Sequence, residues 1–144
     1  MVSFETMQIP DQIPGFKLLA ALWVIMAVIW SMLEGNFERV LIFGFLTALT
    51  GLAYLFQRMM GGRHFSAVPG LLLMGLWGLA LGAGTVLMTL LLMAVKTGLH
   101  AHGAEFTTAE ITAVWGYLPL WSLVGLLAGL GVGLLLIART PKRN

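Results

Sequence analysis

Long runs of apolar residues, separated by short polar breaks, organise this chain. The first run is Leu18 to Leu33, without a charge, and the second extends from about Val40 to Phe56 between Arg39 and Arg58. The third runs uncharged from Ala67 to Val95 and closes at Lys96, and the fourth runs from Pro119 to Ala138 and ends at Arg139. A membrane span needs about 20 mostly apolar residues, because about 30 Å of hydrocarbon is crossed at 1.5 Å per residue. The pattern therefore predicts transmembrane helices over about 14–34, 38–56, 68–96 and 119–138. The first is short unless its helix starts near Pro14, which suits a first helical position, with Lys17 snorkelling to the surface. The third is longer than a bilayer needs, so it tilts or projects.

The polar breaks carry their own signals. Thr107-Thr108-Ala109-Glu110 reads as a capping box, with Phe106 and Ile111 at the positions of a hydrophobic staple. A helix should begin at Thr108, and Pro119 should break or kink it, since an interior proline loses a hydrogen bond and clashes with the preceding turn. The expectation is a short interfacial helix over about 108–117, with Trp115 and Tyr117 at the headgroup level; the alternative is one long helix with a proline kink. Gly61 and Gly62 mark a turn between the second and third spans. The fold class that follows is an all-α membrane protein. It is a four-helix transmembrane bundle with a short interfacial helix before the last span, and residues 1–144 form a single membrane domain. Short loops put the first three spans in an up-down array.

Composition agrees with this picture and excludes several functions. The chain is 59% hydrophobic and 10% charged, against about 45–50% and about 25% in a soluble domain, and its mean hydropathy is +0.94. The apolar excess must face lipid, which argues against a soluble enzyme, a nucleic-acid partner or a disordered tail. The lack of cysteine excludes disulfides, thiolate nucleophiles and cysteine-held metals. The net charge of +2 is small and reflects residues flanking the membrane.

Charge also sets an orientation. Lys17, Arg58, Arg63, Arg139, Lys142 and Arg143 fall on the face shared by both termini, against Arg39 and Lys96 on the other. The positive-inside rule then makes both termini cytoplasmic, in the cell or inner membrane, with the loops Glu34–Arg39 and Lys96–Ala113 facing outward. Glu5 and Asp11 precede the first run, and no cleavage site of the A-x-A type follows it. The first span thus reads as a retained helix rather than a signal peptide.

Glycine is the remaining structural signal. The chain has 18, and Gly125, Gly129 and Gly133 form overlapping small-x-x-x-small repeats on one face of the last span, while Gly78 and Gly82 form another on the third. In lipid, helices associate through close backbone approach. These glycine-zipper stripes therefore mark helix packing, either inside the monomer or against another subunit.

Candidate chemistry is sparse. No Asp, Glu, Lys, Arg or His falls inside the four apolar runs, which argues against a pump or proton-coupled transporter acting alone. The hydroxyls of Ser31, Thr47, Thr50, Tyr54, Thr85, Thr89 and Ser122 suit bonds to backbone carbonyls or neighbouring helices. His100 and His102 flank Ala101 in a loop, and in an extended segment both imidazoles point one way. With Glu105, or with Glu110, they could chelate a divalent metal such as zinc or copper. Solvated loop histidines are the plainer reading, and a haem ligated by either histidine is a further one. Trp23 and Trp30 share one face of the first span, fit for packing or for a quinone or pigment ring, and the cofactor itself stays unknown. Trp77 lies deep in the third run, where its indole N–H wants a partner.

The function these features point to is a non-catalytic small integral membrane subunit within a larger respiratory, photosynthetic or transport complex. Its partners are the bilayer and other membrane subunits or further copies of itself. The alternatives are a small homo-oligomeric channel or transporter, and a metal- or cofactor-binding membrane protein using the His100/His102 loop. No nucleophile, base and orienting group come together to suggest an enzyme.

Overall fold

The computed structural model describes residues 6–33, 35–99, 103 and 105–139. Its elements are β1 (Thr6–Gln8), α1 (Phe16–Met32), α2 (Phe37–Met60), β2 (His64–Ser66), α3 (Ala67–Leu99), α4 (Thr108–Gly116) and α5 (Leu118–Arg139). Three helical stretches are long and apolar enough to cross a membrane: α2, α3, and α4 with α5 taken together. At 17 residues, or about 25 Å at 1.5 Å per residue, α1 is shorter than these.

Local chemistry sets most boundaries. The Asn36 side chain accepts from the Arg39 amide at 3.1 Å and starts α2. Gly62, at φ +73°, makes the turn after α2, a conformation that side chains other than glycine rarely adopt. The expected start of the first helix near Pro14 is corrected to Phe16, because Gly15 precedes it in the left-handed region at φ +78°. The capping box forms as the sequence predicts. Thr107 Oγ1 accepts from the Glu110 amide at 3.2 Å, while Glu110 Oε2 accepts from the Thr107 amide at 2.7 Å. Phe106 is buried, whereas Ile111 stays exposed. Tyr117 separates α4 from α5 yet keeps right-handed helical dihedrals. The 108–139 segment is therefore a kinked helix, and Val114 of α4 is fully buried in a cluster with Val86 and Met93 of α3.

The helices pack in the order α1, α2, α3, α5, each on the next. The bundle is an open row, in which the first three helices follow one another as neighbours. Among the described residues α2 and α5 meet weakly, through the Phe45 and Trp121 rings, whose centroids are 6.4 Å apart. Two small cores tie the ends, called outer and inner after the orientation that the charges predict. At the outer end Val40, Val86, Met93, Phe106 and Val114 cluster. At the inner end Met7, Ile9 and Met74 cluster with Phe56, Met60, Phe65 and Leu136.

The inner core depends on a feature the hydrophobic pattern did not predict. Strands β1 and β2 pair antiparallel, with Met7 opposite Phe65. The Ile9 amide donates to the Arg63 carbonyl at 3.0 Å, and the Ile13 amide to Gln57 Oε1 at 3.1 Å. The segment before α1 is thus stitched to the turn between α2 and α3, and Met7 is carried onto Gly70, where a Cβ would crowd its thioether.

Candidate functional site

Helix α3 forms the floor from which every candidate feature is built, and its glycines decide how closely α5 approaches. A Cβ on Gly78 would overlap the Gly125 carbonyl oxygen and stand 2.8 Å from Gly129 Cα. One on Gly82 would overlap the Trp121 carbonyl, and one on Gly129 would overlap that of Met74. At Gly133 the neighbours are side chains, Leu71 at 3.0 Å and Met74 at 3.2 Å. The glycine faces of α3 and α5 thus meet each other within one chain, backbone against backbone, where dispersion and weak polar contacts replace the hydrophobic effect. On the other flank a Cβ on Gly44 of α2 would overlap the Thr89 hydroxyl and stand 2.9 Å from the Thr89 backbone.

Because α2 and α5 flank α3 while barely touching each other, an apolar groove runs between them. It has a volume of about 220 Å³ and is open along one side. Leu49, Leu52, Ala53 and Phe56 of α2 form one wall, Gly125, Ala128, Gly129 and Val132 of α5 the other, and Met74, Trp77, Gly78 and Leu81 the floor. Ile13 stands at the inner end. The Phe45 and Trp121 rings lie one turn beyond Leu49 and Gly125, on the same helix faces, and mark the outer end. Trp77 packs its ring edge-on to Phe56 at 5.2 Å. The sequence carried only a faint signal for this groove, the small residues Ala53 and Ala128 at helical spacing from larger neighbours.

A second feature lies at a predicted boundary. Lys96, expected where the third span meets the outward loop, lies inside α3, which continues to Leu99. The side chain is fully buried. Its Nζ donates to the carbonyls of Trp30 at 3.0 Å, Ser31 at 3.4 Å and Leu33, and stands 5.0 Å from the centre of the Trp30 ring. The last turn of a helix exposes carbonyls with no intrahelical partner and carries partial negative charge. Lys96 supplies both the donors and the countercharge, so α3 caps α1.

The tryptophan face of α1 is used for packing. The Trp23 indole N–H donates to Thr47 Oγ1 at 3.0 Å, and Trp23 and Trp30 both stack on Phe43 of α2, at 6.3 and 5.1 Å. The threonine hydroxyls turn inward to their own helices. Thr47, Thr50, Thr85 and Thr89 each donate to the carbonyl four residues before, at 2.8 Å.

Of the predicted metal ligands, only Glu105 and the alternative Glu110 are in the described residues. His100 and His102 lie outside the described residues. Glu105 packs against Gly35, where a Cβ would overlap its carboxylate, beside the turn whose Leu33 carbonyl Lys96 holds. Among the described residues no three His, Asp or Glu side chains are placed to share a metal ion. Glu110 lies before the Pro119–Ala138 run, and its carboxyl is held below the ordinary carboxylate range by the Thr107 amide first and the Thr107 hydroxyl second.

Comparison with protein-family models, with curated proteins and with solved structures gives no match for this chain. Its residues and their geometry therefore carry the functional reading.

Proposed function

We propose that this chain is a non-catalytic, four-pass integral membrane subunit that packs within a larger membrane complex, with both termini cytoplasmic. The observation that carries the reading is the open helix row. α1 has no buried residue, lies along α2, and presents Val24, Ile25, Val28 and Ile29 outward. A row leaves long apolar faces on both sides for neighbouring subunits, where a closed bundle would leave fewer.

Crossing by α1 is supported by its alignment with α2. The Phe16 and Tyr54 rings meet at 6.4 Å near one end, and Trp30 meets Phe43 near the other. A deficit of about 5 Å against a hydrocarbon core of about 30 Å is met by local thinning and by Lys17 reaching the headgroups. The exposed cations Lys17, Arg58, Arg63 and Arg139 share the end that carries β1 and β2, which supports placing that end in the cytoplasm. Threonine hydroxyls committed to their own backbone count against a polar pathway through the row, and so against the channel alternative.

A photo-crosslinking side chain at Ile25 or Ile29, activated in native membranes, tests the proposal. The expected product is a discrete protein adduct of reproducible mass. Labelling of lipid alone at both positions contradicts it.

A further inference from the structure

The groove between α2 and α5 has the size, depth and rim of a binding site for one molecule, and we infer that it holds an acyl chain of an anionic phospholipid of the inner leaflet. The reading is independent of whether the chain has protein partners.

Size decides first. A cavity of about 150 Å³ lined by aliphatic and aromatic side chains already accepts a benzene ring, while pockets for drug-sized molecules run from about 300 Å³ upward. At about 220 Å³ the groove is too small for a pigment or a whole cofactor. A single hydrocarbon chain fits, and the apolar lining asks for nothing more polar.

Depth decides next. Leu49 to Phe56 on α2 and Gly125 to Val132 on α5 each rise about 10 Å at 1.5 Å per residue. Half of a hydrocarbon core of about 30 Å is about 15 Å, so the groove runs through most of one leaflet. Its outer end stops at the Phe45–Trp121 ring pair, near the level where an acyl chain ends.

The rim supplies the charge. Past the inner end lies Arg139, seven residues beyond Val132 and so on the same face of α5, while Arg58 stands in the last turn of α2 on the side of that helix opposite Phe56. Lys17 opens α1, four residues after Ile13, and Arg63 follows the Gly61–Gly62 turn. All four are exposed, and among the described residues at this end only Asp11 opposes them. Guanidinium groups pair bidentately with phosphate oxygens, and basic residues at the cytoplasmic ends of membrane helices recognise anionic headgroups in this way. The tail and the phosphate are therefore both provided for.

The test is native mass spectrometry of delipidated full-length protein in detergent, titrated with phosphatidylglycerol or with phosphatidylcholine. The expected result is one phosphatidylglycerol retained per chain at collision energies that strip phosphatidylcholine. Ala128→Phe fills the groove from an exposed position and should abolish that retention while helicity and thermal midpoint are unchanged. Arg139→Gln should lower the preference for phosphatidylglycerol about fivefold, leaving the groove itself intact. Equal retention of the two lipids, or undiminished retention by Ala128→Phe, overturns the inference. Protein adducts are separated from lipid adducts by mass, so failure here leaves the subunit proposal standing, and the reverse also holds.

Discussion

Lys96→Met is the sharpest perturbation of the packing described above. In the wild type a buried ammonium group donates to Trp30, Ser31 and Leu33 carbonyls and lies over the Trp30 ring. A hydrogen bond to a charged group contributes about 1.5–3 kcal/mol, and a desolvated cation–π contact about 2 kcal/mol. The 3.4 Å bond to Ser31 is weak, so two good bonds and the ring contact give a gross loss of about 5–8 kcal/mol. Methionine recovers the burial of the aliphatic stem. Met32 is 82% exposed, so water or headgroups can reach part of the freed carbonyl set. Half of the gross loss offset in this way leaves about 2–4 kcal/mol, in line with breaking a buried ionic contact. The loss falls on the α1–α3 tie and not on the α3–α5 seam, so the effect should be local. Hydrogen exchange in detergent should speed up for the amides of 28–33 by about 30- to 1,000-fold, that range of energies at about tenfold per 1.4 kcal/mol. The amides of 74–82 should keep their protection. Exchange at 28–33 within threefold of wild type would refute the capping argument, and equal acceleration in both segments would refute its locality.

Three further outcomes follow from single contacts. Gly125→Ala places a methyl on the Gly78 carbonyl, forces α3 and α5 apart, and should cost about 1–3 kcal/mol, read as a lowered thermal midpoint in detergent; an unchanged midpoint contradicts the close approach. Trp23→Phe keeps the stack on Phe43 but loses the bond to Thr47, so a loss of about 0.5–1.5 kcal/mol is expected by the same measurement, and Thr47→Val should reproduce it without adding to it. Thr107→Ala removes the capping box at a cost of about 1 kcal/mol, seen as faster exchange in 108–111. Because the folded Glu110 carboxyl is held below its ordinary value, its stabilisation is present above the ordinary carboxylate range and is lost as pH falls through the folded value. The difference between wild type and Thr107→Ala should therefore shrink in acid, and a constant difference would refute the Thr107–Glu110 pairing.

Elements whose cause is local were legible in the sequence. Four apolar runs became helices, three of them long enough to cross a membrane, the Thr107–Glu110 spacing became a capping box, and the Gly61–Gly62 pair became a turn. What escaped depends on contacts between distant residues. The pairing of Thr6–Gln8 with His64–Ser66 involves strands of three residues, too short for a periodic signal, and is set by Met7 seeking the space over Gly70. Lys96 looked like a boundary charge because hydropathy alone ends a span at the first cation. Its place in the helix follows from the unpaired carbonyls at the end of α1, which the local pattern of residues 67–99 does not contain. The groove was equally hidden, since no single helix encodes the gap left when α2 and α5 both choose α3. Trp23 and Trp30 were readable as one stripe, and the partner that occupies it, Phe43, became visible only once α1 lay on α2.

As proposed above, this open row of helices is a component of a larger assembly, which native mass spectrometry of the untagged protein, extracted gently from its own membrane, would show. The expected result is this chain in a complex with other membrane subunits at fixed stoichiometry. A bare monomer, or copies of this chain alone, would contradict it.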